Sequence, residues 1–202
     1  MAVITAAMVK ELREATAAGI LDCRTALEIA EGDFDKAVDC LREKGLAQAA
    51  KRMSREAKDG LVVAYVHPGG RIGVLVEVNC ETDFVARTDE FKTLANNIAM
   101  QIAAMSPRYV RREDIPEAVL AHEREVFRAQ ALEEGKPAQV VDRIVEGRLE
   151  KFCQEVCLLE QTFIRDEERT VDDIIKDVIT RTGENVIVRR FARFELGESL
   201  EA

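Results

Sequence analysis

The residues of this chain best suited to chemistry are its five cysteines and two histidines. Cys80 and His67 stand at opposite ends of a predicted β-hairpin, where they either form a nucleophile–base pair or simply pack at the strand ends. Cys153 and Cys157 lie four residues apart on a predicted helix, but a structural zinc site usually needs four ligands. We interpret the cysteines as reduced, packed thiols and expect no metal and no cofactor. A small enzyme that uses Cys80 or Cys153 is an alternative.

Motifs that bind nucleotides or activate a nucleophile are missing from the sequence. Gly135 and Lys136 lack the upstream glycine of a phosphate-binding loop and are followed by a proline. Neither a dinucleotide-binding glycine motif nor a G-x-S-x-G elbow occurs. His122 begins a pattern similar to that of a zinc protease, but Val126 occupies the position of the second histidine. We therefore expect a protein that is not an enzyme.

Composition and charge narrow the class of protein further. The 202 residues are 47% hydrophobic and 33% charged, which is typical of a globular chain. The formal net charge is −9, and almost all of the negative excess falls after residue 56. Because a negative surface repels phosphate backbones, we expect no direct nucleic-acid binding. No apolar run approaches the roughly 18 residues of a spanning helix, and the start does not resemble a secretory signal, so we predict a cytoplasmic protein without membrane contact.

Three short helices are predicted in the first 50 residues or so. Their apolar residues follow the spacing of one helical face, as in Met8, Leu12 and Ala15. Residues typical of helix caps mark the expected boundaries, with starts at Thr5, Asp22 and Asp33 and ends at Gly19 in a left-handed cap, Gly32 and Gly45. Residues 47–59 are predicted to be a linker that is at least partly helical.

The pattern then changes to that of a sheet with helices. Residues 60–67 and 71–80 alternate as β-strands around a Pro-Gly-Gly turn and predict a hairpin. Residues 185–195 predict a third strand. Between these strands the sequence predicts helices over residues 88–105, 116–134, 138–159 and 170–183, with Thr88 or Asp89 as the cap of the first and Thr170 as the cap of the last. The hairpin and the distant strand favour an antiparallel three-stranded sheet covered by helices, which is an α+β fold.

An apolar pair, Phe84 and Val85, stands in the polar connection that follows the hairpin. In one interpretation Phe84 folds back into the core, and Asp83 or Thr82 caps the next helix. In the other, Phe84 is an anchor presented on a turn to a partner protein, with a charge beside it. The residues alone do not decide between these two interpretations.

The nine residues 79–87, Asn-Cys-Glu-Thr-Asp-Phe-Val-Ala-Arg, resemble the signature of the elongation factor Ts family. Further matches include Asp-Cys-Arg-Thr-Ala-Leu at 22–27, Gly-Asp-Phe-Asp-Lys-Ala at 32–37 and Leu-Leu-Glu-Gln at 158–161. Ala17 and Thr162 depart from the family pattern, as does the run at 57–60. The resemblance implies a ubiquitin-associated-like module over 1–52, a linker over 53–59 and an α+β core and dimerisation domain over 60–202. Short members of this kind are expected to form homodimers through the C-terminal sheet region.

The resemblance also implies a function. Such a factor binds the GTPase elongation factor Tu in its GDP form and promotes GDP release. Phe84 would wedge near the switch region, Asp83 would disturb the Mg²⁺ contacts, and Thr82 and Val85 would shape the turn. A second partner contact would lie at Gly19, Ile20, Leu21 and Asp22. The rival is a ubiquitin-associated-type adaptor in which residues 1–50 alone bind an unrelated protein.

Overall fold

The computed structural model describes residues 4–16 and 18–199, so the departure at Ala17 lies outside the described residues. It has the expected α+β fold, with a main sheet in the order β1-β2-β5. The helices are α1 Ala6–Thr16, α2 Ile20–Ile29, α3 Phe34–Arg52, α4 Asp83–Ala86, α5 Asp89–Met105, α6 Glu117–Glu133, α7 Ala138–Val156 and α8 Val171–Thr182. The strands are β1 Asp59–Val66, β2 Ile72–Cys80, β3 Thr162–Phe163, β4 Asp166–Thr170 and β5 Val186–Glu195.

The chain divides into two compact units. The first unit, called here the site unit, contains residues 1–60, 79–91 and 175–187. The second, called the sheet unit, contains residues 61–78, 92–174 and 188–202. The predicted boundaries at residues 52 and 60 follow the chain, whereas these units collect segments that are distant in sequence.

The three N-terminal helices of the site unit share a small apolar core that includes Leu12, Leu27 and Ala37. Asp33 caps α3 as expected, because its carboxylate accepts a hydrogen bond from the Lys36 amide at 3.1 Å. The hydrogen bonds that Asp33 accepts from the backbone amide and the side chain of Lys36 lower the pKa of its carboxyl group. Burial of one stripe on each helix is therefore the main source of order in this region.

Three predicted helix boundaries in this region are wrong. Gly19 is the N-cap of α2 with extended backbone (φ −63°, ψ 148°), so it is not a left-handed cap. Asp22 lies inside the first turn of α2, and its carboxylate binds Lys44 at 2.7 Å. Gly45 does not end α3. It is buried within that helix, where a Cβ atom would come within 2.8 Å of the Thr180 side chain, so glycine there permits close packing.

The hairpin and third strand form as predicted. The His67 amide donates to the Ile72 carbonyl at 2.9 Å to close the hairpin. The Leu196 amide donates to the Arg71 carbonyl at 2.8 Å, as expected if β5 runs antiparallel to β2. Val74, Val76 and Val78 are buried on one face of β2. The alternate residues lie on the opposite face, where Leu75 is exposed, Glu77 is half-buried and Asn79 is buried.

The helices of the sheet unit follow the prediction closely, with two differences. Helix α7 ends at Val156 instead of continuing to residue 159, and a short 3₁₀ turn follows it. The β3–β4 hairpin is absent from the sequence prediction. A buried amide helps to hold it, because Gln101 donates to the Thr162 carbonyl at 3.0 Å and accepts from the Ile164 amide at 2.9 Å. Gln101 is 60 residues or more from these partners in sequence, so no local pattern indicates the hairpin.

Candidate functional site

The turn after β2 carries the four residues of the predicted partner site. Thr82 is the extended N-cap of the one-turn helix α4, and the Ala86 amide donates to its carbonyl at 3.3 Å. Ala86 is buried at 3% exposure, whereas Phe84 is 78% exposed. The interpretation in which Phe84 folds back into the core is therefore wrong. The helix turns its smallest side chain inward and its largest outward.

Thr88 separates this turn from the long helix α5. Its hydroxyl donates to the Val85 carbonyl at 2.7 Å and accepts from the Phe91 amide at 3.2 Å. Thr88 is therefore the cap of α5, one of the two predicted candidates, and it also bonds back to the short helix α4. Phe91, seven residues after Phe84, is fully buried. The core position near this turn is occupied by Phe91, which leaves Phe84 at the surface.

Asp83 and Val85 flank the exposed ring differently. The Asp83 carboxylate binds the Arg87 guanidinium at 2.7 Å within the same short helix. Both side chains are largely open to solvent, so this ion pair contributes little to stability and is easily exchanged for another partner. Val85 is half-buried. The turn therefore presents an aromatic ring with an available carboxylate beside it.

A carboxylate distant in sequence holds the entrance to the turn. Glu184, between α8 and β5, accepts hydrogen bonds from the Thr82 amide at 3.0 Å and the Thr82 hydroxyl at 2.6 Å. No local sequence pattern predicts a role for this residue. The positions are 102 apart, and the only local sign is a polar pair, Glu184 and Asn185, between a helix and a strand. Asn185 is fully buried.

The predicted second contact lies in the first turn of α2. Ile20 and Leu21 are 58% and 80% exposed, which is unusual for large apolar side chains. Ile20 lines an open cavity of about 390 Å³ whose lining combines apolar and basic side chains; its other lining residues are Ile4, Thr5, Ala6, Val9, Lys10, Arg13 and Arg24. This region and the Phe84 turn both belong to the site unit. The arrangement suits an apolar partner segment that carries acidic groups.

Cys80, Cys153 and Cys157 do not have the properties of catalytic nucleophiles. Burial, together with the nearby Glu184 carboxylate, raises the pKa of the Cys80 thiol to about 11. Burial also raises the pKa of the Cys153 thiol, and it raises that of the Cys157 thiol to about 12. A reactive thiol needs a lowered pKa instead. His67 is hydrogen-bonded to Tyr65 at 3.0 Å.

Within residues 4–16 and 18–199, no group of three or more metal-binding side chains is arranged to hold an ion. No helix in that part of the chain is long and apolar enough to cross a membrane. The exposed apolar side chains of the site, Ile20, Leu21 and Phe84, favour contact with another protein.

Comparison with known proteins decides the family. The model of a family described as Elongation factor TS matches residues 2–198. The chain belongs to the elongation factor Ts family. A protein named elongation factor Ts from Thermoanaerobacter pseudethanolicus is 64% identical over 98% of this chain and 97% of its own length. Elongation factors Ts from Carboxydothermus hydrogenoformans (64% identical, 98% and 91% covered) and Desulfitobacterium hafniense (56% identical, 100% and 93% covered) are also similar. The resemblance of residues 79–87 thus extends to nearly the whole chain.

Proposed function

We propose that this chain is a guanine nucleotide exchange factor that binds elongation factor Tu·GDP and promotes release of GDP. The exposed Phe84 on a hydrogen-bonded turn carries this proposal. A ring of this size costs free energy in water, and it is the kind of side chain that anchors protein interfaces. The chain itself does no covalent chemistry and requires no cofactor in this scheme.

The exposed side chains suit the two parts of an exchange step. Phe84 inserts between elements of the GTPase near its switch region, and Asp83 disturbs the ligands of the Mg²⁺ that bridges nucleotide and protein. Thr82 and Val85 fix the turn that carries them. Exchange requires that the factor bind the nucleotide-free GTPase more tightly than the GDP form. By reciprocity, the factor then weakens GDP binding by the same ratio.

The second contact at Gly19, Ile20, Leu21 and Asp22 supplies affinity in this proposal. Ile20 and Leu21 are exposed, Ile20 lines the cavity described above, and both residues lie in the same compact unit as Phe84. Two contacts on one partner raise the effective concentration of each for the other. This separates binding by the N-terminal helices from the disturbance of the Mg²⁺ site by the turn.

Self-association is the third part of the proposal. The face of the sheet opposite Val74, Val76 and Val78, called here the sheet face, carries exposed large apolar side chains as well as the Glu77–Arg190 ion pair. Its large members, between 48% and 69% exposed, are Val62, Val66, Leu75, Phe194 and Leu196. We propose that a second copy covers this face in a homodimer, with residues 60–202 as the core and dimerisation domain, 1–52 as the N-terminal module and 53–59 as its linker. The proposed location is the cytoplasm, with no nucleic acid or membrane as partner.

The experiment that tests this function is fluorescent-GDP release from elongation factor Tu with and without this chain. Acceleration that rises with the concentration of the chain and saturates supports the proposal. An adaptor built on residues 1–50 would bind without changing the GDP release rate, and a thiol enzyme would lose activity with a thiol reagent. Release that proceeds at the same rate with and without the chain would contradict the proposed function.

A further inference from the structure

The turn that carries Phe84 is held from outside by one carboxylate. Glu184 accepts hydrogen bonds from two consecutive backbone amides, Glu81 at 3.2 Å and Thr82 at 3.0 Å, through one of its oxygens. Its other oxygen accepts from the Thr82 hydroxyl at 2.6 Å. Hydrogen bonds to an ionised acceptor are about twice as strong as neutral ones. Three of them on two adjacent residues fix the backbone directly before Phe84.

The neighbouring residue extends this network to the N-terminal helices. The Asn185 side-chain amide donates to the carbonyls of Met53 at 3.2 Å and Arg55 at 2.6 Å, just after α3 ends. Its backbone amide donates to the Glu81 carboxylate at 2.7 Å. Asn185 is fully buried, so these bonds are shielded from water. Residues 184 and 185 therefore hold both the turn and the end of the N-terminal module.

These bonds are made by groups that would otherwise lack partners. Thr82 is an N-cap with extended backbone, and its side chain makes no capping bond to its own helix. A helix as short as α4 is not stable by itself, because fixing the backbone of the first turn costs more conformational entropy than its single hydrogen bond offsets. Without Glu184, the amides of Glu81 and Thr82 would have to bond to water. The backbone that orients the Phe84 ring would then be less fixed.

We propose that Glu184 is a positioning residue for the exchange reaction: it holds the Thr82–Asp83–Phe84 turn in its binding geometry before elongation factor Tu arrives. This inference rests on the proposed function. A turn that is ordered in advance loses less conformational entropy on binding, so more of the contact energy of Phe84 reaches the complex. Asn185 places that turn relative to the N-terminal helices by the same network.

A purely structural role for Glu184 makes a different prediction. If its loss only loosened the whole unit, exchange would fall by the same factor whether or not Phe84 is present. If Glu184 acts through the turn, its loss matters only when the turn carries the phenylalanine. A double-mutant cycle separates these cases, because coupling between two residues shows as non-additivity.

The experiment measures GDP release at saturating concentrations of Glu184→Ala, Phe84→Ala and the double variant, using the full chain. We expect Glu184→Ala to slow maximal stimulated release about tenfold, as befits the loss of hydrogen bonds to a charged group. In the Phe84→Ala background the same change should cost less than about twofold. Glu184→Gln should restore most of the rate, because the Thr82 hydroxyl can rotate and accept from the new amide nitrogen.

Hydrogen exchange supplies a readout that does not depend on the partner. The amides of Glu81 and Thr82 should lose protection in Glu184→Ala and largely keep it in Glu184→Gln. Glu160→Ala is the matched control, because Glu160 is half-buried like Glu184 but binds Arg112 and lies in the sheet unit. It should leave the protection of residues 81 and 82 and the exchange rate unchanged.

The outcomes are distinct. Equal losses in the two backgrounds, or a wild-type rate in Glu184→Ala despite lost amide protection, would overturn the positioning role. Unchanged protection in Glu184→Ala would overturn the hydrogen-bond basis for it. A folded Phe84→Ala chain with wild-type exchange would instead overturn the proposed role of Phe84 itself, and the same data set reveals this. Circular dichroism and thermal unfolding of each variant establish that it is folded.

Discussion

The molecule exposes apolar side chains in two very different ways. At the turn after β2, one ring, Phe84, projects from a backbone fixed by hydrogen bonds to Glu184 and Thr88. On the sheet face, Val62, Leu75 and Phe194 are exposed on three neighbouring strands. A single anchor suits insertion into a pocket of a partner protein, whereas exposed apolar side chains spread over three strands suit a stable interface with an identical surface.

The difference lies in what orders each region. The sheet face is fixed by the strand ladder, and its alternation is visible in the sequence as period two. The turn has no regular structure beyond one helical turn and depends on bonds from residues about 100 positions away. Substitutions in the two regions should therefore have separable effects, which the following predictions test in order of decreasing size.

The largest effect is expected on the sheet face. Phe194→Glu should weaken self-association by more than about 100-fold, because an isologous interface meets the new charge twice and each unpaired buried charge is costly. Sedimentation equilibrium measures this as a shift from dimer to monomer. Val140→Glu, which places the same charge on an exposed valine of α7, is the control and should stay dimeric. A wild-type monomer, or a dimeric Phe194→Glu chain, would contradict the role of this face.

A smaller effect is expected at the N-terminal contact. Replacing both Ile20 and Leu21 by alanine should raise the concentration for half-maximal GDP release about tenfold, which corresponds to roughly 1.4 kcal/mol of lost binding. The maximal rate should stay near that of the wild type, because these residues bind the partner but do not disturb its Mg²⁺ site. Titration of the release rate measures both quantities. A fall in the maximal rate at an unchanged half-maximal concentration would contradict the proposal that Ile20 and Leu21 contribute to binding and not to GDP release itself.

The smallest effect concerns pH and the thiol next to the turn. Cys80 donates to the Thr82 carbonyl at 3.1 Å, and its pKa rises from 9.0 to about 11 on folding, mainly through burial. Between these values the unfolded chain has lost the proton that the folded chain keeps, so stability falls as pH rises from about 9 to 11.

Urea unfolding at about pH 8.5, below both pKa values of Cys80, and at about pH 10.5, between them, measures this loss for the wild type and for Cys80→Ser. Serine keeps a donor for Thr82 but does not titrate here, so the midpoint should fall less in the variant. Cys157, with a pKa raised to about 12, contributes in both proteins and cancels in the comparison. Equal losses in the two proteins would mean that Cys80 does not contribute.

Local patterns were enough to predict most of the fold. Asp33, Thr88 and Thr170 cap helices as expected, because a side-chain oxygen that meets a free amide is a contact between near neighbours. The hairpin follows for the same reason, since its turn residues and alternation are adjacent in sequence. Gly45 was misjudged because its role is set by Thr180, which is 135 residues away.

The candidate site was predictable only in part. Residues 82–85 were found through family resemblance, but local patterns left the direction of Phe84 undecided because that depends on whether another side chain fills the core. Phe91 is the buried residue nearby, and the period of α5 does predict its burial. The roles of Glu184 and Asn185 could not be predicted, because polar residues between a helix and a strand usually indicate an ordinary loop.

The central claim is that Phe84 drives exchange from the surface of a folded turn, and one measurement tests it most directly. Fluorescent-GDP release from elongation factor Tu is followed at saturating concentrations of the wild-type chain and of Phe84→Ala. Loss of an anchoring aromatic costs about 2 kcal/mol or more, so the maximal stimulated rate should fall about 30-fold. Circular dichroism and thermal unfolding should be unchanged, because the ring is 78% exposed. A folded Phe84→Ala chain that releases GDP at the wild-type rate would contradict the account.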